Sequence, residues 1–184
     1  MNPIEHPSPS GFLRESLLRA GLSPEVFTWC PASEVPEPFR ALLVHEGDMT
    51  STLERFHEER MLLEVLAEGN SDQYYHREVI LKGERTGRAA EFGLIEIELK
   101  NFPSILQGPI LLGQQPLGGI LNDSGVVYKS QPLGYFSVAR EALPPKLSPL
   151  GSMSVLYGRY NQLKNQDGSC LARILEIVPD FNQP

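Results

Sequence analysis

Tyr74-Tyr75-His76-Arg77-Glu78-Val79-Ile80-Leu81, closing on the turn Lys82-Gly83-Glu84, is the stretch whose reading decides the fold. At the strand period of two, Tyr75, Arg77, Val79 and Leu81 form one row, while Tyr74, His76, Glu78 and Lys82 form a wetter row broken by Ile80. A strand with a turn at its end needs neighbours. Upstream, residues 61–66 are β-compatible and run into the Gly69-Asn70 turn signal, which predicts a hairpin. Downstream, residues 89–99, 126–129, 135–139, 153–162 and 170–178 supply further strands, with Asn165-Gln166-Asp167-Gly168 as a second turn. Links this short favour antiparallel pairing.

The remaining segments read as helical. Ile105, Leu106, Ile110, Leu111, Leu112, Leu117 and Leu121 predict short helices on either side of a break at 113–116. Residues 1–10 read as an extended tail, and Phe12, Leu13, Leu17 and Leu18 predict a helix that stops at Gly21. Ser23-Pro24-Glu25 has the form of a helix start running through Trp29, ended by Pro31, Pro36 and Pro38. The chain therefore reads as α+β, one domain over 1–184 with helices on one face of a single antiparallel sheet and a helical, irregular segment at 1–40. No internal repeat is visible.

Charges fall in the wrong places for a plain core. Arg77 sits in an apolar row, and its five donors need either a structural carboxylate or the carboxylate of a ligand. In the last strand Cys170, Ala172, Ile174, Glu176 and Val178 share a row, so Glu176 interrupts an apolar face as well. Two such charges either pair with each other or flank a polar cavity, where burial suits a carboxyl group to acid or base work. Gly93, inside a strand, is either a bulge or a place of close approach. Pro116-Leu117-Gly118-Gly119 is either a helix entry or a backbone that can meet a bound molecule. His45 and His57 flank Asp48-Met49-Thr50 near a helix start, where histidines are commonly solvated or capping residues.

Composition narrows the function classes. The 184 residues carry 16 Lys and Arg against 23 Asp and Glu, a net charge of −7 without a basic stripe, which argues against nucleic acid as a partner. Cys30 and Cys170 form no CxxC pair, and the histidines show no ligand spacing with them, so neither metal nor other cofactor is expected. Both cysteines read as small hydrophobes of a reducing compartment, a disulfide between them being the alternative. The start MNPIEHPSPS lacks the pattern of a signal peptide, and no apolar run is long enough to span a membrane, which points to the cytoplasm. GxGxxG, GxxxxGK, GxSxG and HExxH motifs are all absent.

Taken in order, Asp48-Met49-Thr50, the 74–81 strand, Leu112-Gly113-Gln114-Gln115-Pro116-Leu117-Gly118, Leu156-Tyr157-Gly158-Arg159 and the strand through Glu176 to Pro179 resemble the chorismate pyruvate-lyase family over residues 42–179. The resemblance implies an antiparallel sheet whose helices and flaps bury the ligand, and conversion of chorismate to 4-hydroxybenzoate and pyruvate, a step towards quinones. It carries the carboxylate-binding arginine onto Arg77 and the active-site acid onto Glu176, across a one-residue gap between that acid and Pro179. Met49, Gly93 and Leu117 become pocket residues, the Leu117 backbone a donor to the ligand. The stretch LLVHEGDMTSTLERFH at 42–57 departs from the well-known enzymes towards a divergent branch. Two rivals follow: a non-catalytic aromatic-acid sensor of the same fold, and a lyase giving another hydroxybenzoate isomer.

Overall fold

The computed structural model describes residues 11–71 and 74–179; the tail read at 1–10 and the side chains of Phe12 and Leu13 lie outside them. Seven strands are present among these residues: β1 Phe27–Cys30, β2 Met61–Asn70, β3 Tyr75–Gly83, β4 Ala89–Ile97, β5 Tyr128–Ala139, β6 Val155–Asn165 and β7 Cys170–Val178. They form one antiparallel sheet in the order β1-β5-β6-β7-β4-β3-β2. Short links build two meanders, β2-β3-β4 and β5-β6-β7, and pairing of β4 with β7 joins them. The long connection from β4 to β5 carries α4 Ser104–Leu112 and α5 Leu117–Ser124, split at the expected break.

With α2 Phe39–Leu43 and α3 Met49–His57, these helices cover one face of the sheet, as the α+β reading requires. Leu106, Ile110, Leu117 and Leu121 pack on Val79, Ile95 and Ile174, while Phe39, Leu42 and Leu53 pack on Met61, Leu81 and Val178. The other face is covered too. Ile80, Phe92, Leu94, Leu175 and Ile177 point that way and pack under α1 Gly11–Arg19 and the Pro145–Leu150 turn. Central strands buried on both faces lose the simple alternation of apolar and polar residues. Glu78, read as part of the wetter row, is buried for this reason, and Lys146 reaches it at 2.5 Å.

Two readings need correction. The helix expected from Pro24 through Trp29 is a single 3-10 turn, Pro24–Val26, followed by strand β1. Phe27 and Trp29 set their rings edge-on to Phe136 of β5, at centroid distances of 4.8 and 5.4 Å, and that cross-strand packing overrides the local helix signal. The strands expected at 126–129 and 135–139 are one strand, β5, whose register shifts between Pro132 and Gly134 where proline cannot donate to the ladder. Cys30 and Cys170 are both free and partly buried. No helix among the described residues is long and apolar enough to cross a membrane.

Candidate functional site

The covered face of the sheet carries two cross-strand rows that matter. One runs Val79, Gly93, Glu176, Arg159, Tyr135 across β3, β4, β7, β6 and β5; the next runs Arg77, Ile95, Ile174, Asn161. Arg77 and Glu176 both face inward, as the period-two reading expects, with 0% and 2% of their surface exposed. They do not pair with each other. Glu176 stands directly opposite Arg159, whose Nε donates to Glu176 Oε2 in a fully buried ion pair. Arg159 Nη1 also donates to the carbonyls of Leu43 at 3.3 Å and His45 at 3.2 Å, which ties the α2–α3 connection to the sheet.

Arg77 is left without a carboxylate. Its Nη2 reaches the carbonyl of Gln115 at a long 3.4 Å, and Nε and Nη1 have no partner. Burial disfavours its charge, and the neighbouring Tyr75 and Glu68 favour it. Glu68 is itself engaged, since the Tyr75 hydroxyl donates to it at 2.6 Å, and burial with this bond pushes the Tyr75 phenol up to about 12.

Arg77 and Glu176 border a cavity under α3 and α5. It is narrow, with a volume of about 40 Å³. Its walls are apolar, from Leu63, Val79, Leu81, Ile95, Leu163 and Ile174 of the sheet with Met49 and Leu117 of the helices; Arg77, Glu91, Asn161 and Glu176 are the polar residues on the sheet side. Two helices begin on it. Asp48 caps α3 by accepting from the Ser51 amide at 2.8 Å, and Pro116 opens α5 without a side-chain cap. The first amides of a helix have no acceptor within it, so the starts of α3 and α5 offer donors and positive dipole ends to an anion beside Arg77. Gly118 permits this convergence: a Cβ there would lie 2.9 Å from both Asp48 Oδ1 and Thr50 Oγ1.

Of the residues singled out from sequence, Arg77, Glu176, Met49 and Leu117 meet at this cavity. Gly93 lies on the same face but is not one of its walls; the space where its side chain would be is bordered by Val79 Cγ2 at 3.0 Å and Glu91 Oε1 at 3.1 Å. Neither histidine caps α3. His45 accompanies the Arg159 carbonyl contacts, and burial together with that guanidinium pushes its imidazole down, towards the neutral form.

Sequence reasoning missed Arg159 and Glu91 as site residues. Period-two reading of β6 would have exposed Arg159, which shares a row with Asn161 and Leu163; Glu91 shares its row with Gly93, Ile95 and Ile97 in a strand buried on both faces. Glu91 is 4% exposed, and its Oε2 has no partner. Burial pushes both carboxyl groups up; the direct bond from Arg159 opposes this at Glu176, whereas Glu91 also feels the Glu176 charge and is held well above the usual carboxylate range.

A raised carboxyl has a definite consequence for stability. The folded protein keeps a proton on Glu91 that the unfolded chain releases near pH 4.3, about the free Glu value, so stability falls as pH rises from there to the folded value. The slope from this group reaches at most about 1.4 kcal/mol per pH unit. Urea midpoints should therefore drop between pH 5.5 and pH 8 in the wild type and drop less in Glu91→Gln. Parallel pH profiles for the two proteins would show Glu91 to be ionised in the fold.

Fold and site define a class: an α+β domain with a narrow cavity between an antiparallel sheet and two helix starts, bordered by a buried arginine. Among solved structures, the effector domain of PhnF from Mycobacterium smegmatis resembles this chain with a TM-score of 0.52 at 9% identity, over 75% of this chain and 91% of that one. PhnF from the same organism gives 0.55 at 11% identity, over 94% and 79%. At such identities the likeness shows the fold, a single antiparallel sheet with a few helices, and nothing of the chemistry. No family model and no curated protein matches the sequence.

Proposed function

We propose that this chain is a binding domain for a small aromatic carboxylate, held with its carboxylate on Arg77 and the amides at the starts of α3 and α5 and its ring between the apolar walls. One observation carries the reading: Arg77 is fully buried at the cavity with no carboxylate of its own and no hydrogen bond from Nε or Nη1, the Tyr75 hydroxyl beside it being bonded to Glu68. A structural arginine of the core would have its carboxylate, as Arg159 has Glu176. A carboxylate fits the open fork through charge-assisted hydrogen bonds. The narrowness of the cavity favours a planar ring over a bulky ligand. That an effector domain, the one of PhnF, has this fold supports binding without turnover as a use for it.

Chorismate pyruvate-lyase activity is the second reading, favoured by Glu176 reaching the same cavity as Arg77. In that reaction Arg77 would grip a carboxylate of chorismate. Glu176 accepts from Arg159, so its part would be to orient a hydroxyl rather than to donate a proton to the ether oxygen. The two readings separate in one experiment on the purified full chain: calorimetric titration with benzoate and 4-hydroxybenzoate, and incubation with chorismate followed by assays for pyruvate and each hydroxybenzoate isomer. Binding of the aromatic acids without release of pyruvate is the expected result. Release of pyruvate would establish the lyase, and neither binding nor turnover would refute both readings.

A further inference from the structure

We infer that Glu91 is the second recognition residue of the cavity: it meets the other polar group of the ligand, donates to a hydroxyl or carbonyl oxygen there, and turns away a second carboxylate. This rests on Arg77 as the carboxylate anchor.

Position comes first. Arg77 pairs with Ile95 and Leu81 with Glu91, so Glu91 shares the face of Arg77 but lies four residues along the strands, about 13 Å at ~3.3 Å per residue. Both side chains border the same narrow cavity. A flat ligand anchored at Arg77 extends towards Glu91. Glu91 Oε2 is buried and lacks a partner, and such an atom in a native interior marks a place where something else binds. Gly93 leaves room for the carboxyl group, with Oε1 lying 3.1 Å from where a Cβ would be.

Charge then sets the selectivity. The groups facing Glu91 are Glu176 on β7 and Arg159 on β6, and Asp48 acts on Glu176 from the start of α3. Arg159 is committed to Glu176 and to the carbonyls of Leu43 and His45; its Nη2 is unpartnered, but Arg159 is not a wall of the cavity. Beside Glu91 stand one cation and one further carboxyl group, with Asp48 beyond them, so the charges balance only while Glu91 keeps its proton. The raised affinity of Glu91 for its proton agrees with that count. A neutral acid can donate to a hydroxyl or carbonyl oxygen. A second ligand carboxylate would add a buried negative charge with no cation left to meet it.

The test is calorimetric titration of the full chain with benzoate, 4-hydroxybenzoate and terephthalate. The wild type should bind 4-hydroxybenzoate about tenfold more tightly than benzoate, the effect of one added hydrogen bond, and terephthalate at least about tenfold more weakly than benzoate. Glu91→Leu should abolish the preference for the hydroxyl, and Glu91→Gln, which keeps a donor, should retain most of that preference. The wild-type ranking stands as a test even if Glu91→Leu does not fold. Equal binding of benzoate and terephthalate by the wild type, or a preference for 4-hydroxybenzoate that survives in a folded Glu91→Leu, would overturn the role of Glu91 and leave the anchor reading intact. Failure of all three acids to bind would instead overturn the anchor and this inference with it.

Discussion

Arg159→Met should destabilise the domain by about 3–5 kcal/mol, the usual cost of breaking a buried ion pair from one side. Arg159 is fully buried, and its Nε is the partner of Glu176. Methionine fills much of the volume but leaves a carboxylate in an apolar interior, and it also releases the carbonyls of Leu43 and His45 that hold the α2–α3 connection. Against a typical total of about 5–15 kcal/mol for a folded domain, that is a large fraction. The loss should shrink at acidic pH, where Glu176 can neutralise itself by taking a proton. Adding Glu176→Leu to Arg159→Met should restore much of the stability, because the orphaned charge and not the missing arginine is the main penalty. Urea unfolding followed by circular dichroism measures all three proteins. A loss below about 1 kcal/mol in Arg159→Met would place the pair among weak, solvent-screened bridges and contradict its burial.

That contrast explains what the sequence could and could not tell. Period two identified Arg77 and Glu176 as charges on the covered face, and the helix starts at Met49 and Leu117 followed from local signals and the resemblance. Which buried charge already has a partner depends on the register between paired strands. Arg159 faces Glu176 across 17 residues of sequence, and Arg173 faces Glu96 across 77, bonded to it at 2.9 Å. Only with both pairs in place do Arg77 and Glu91 stand out as cavity groups left incomplete. Glu91 was hidden for a related reason: β4 is buried on both faces, so Glu91-Phe92-Gly93-Leu94-Ile95-Glu96 shows no polar side against which an inward acid would stand out. Strand β1 was illegible because its four residues gain their structure from β5 and not from their own propensity.

Arg77→Met is expected to abolish ligand binding while leaving stability unchanged or higher, the reverse of the Arg159 result. The guanidinium bears the cost of burial with one long bond to Gln115, Nε and Nη1 unpartnered, and only the neighbouring Tyr75 and Glu68 favouring its charge. Replacing a buried polar group that lacks partners by an apolar one of similar length removes a penalty of about 1–3 kcal/mol. With an aromatic acid in place, the same fork would make two charge-assisted bonds worth about 1.5–3 kcal/mol each, so losing them should weaken benzoate by at least about 100-fold. Arg77→Lys keeps the charge but offers a point donor instead of a planar fork, and should fall between wild type and Arg77→Met. Thermal melts with and without benzoate read both effects at once. The wild type should gain melting temperature with ligand, and Arg77→Met should start as high or higher and gain nothing. If Arg77→Met instead melts several degrees lower and still responds to benzoate, Arg77 is a structural cation and the carboxylate sits elsewhere.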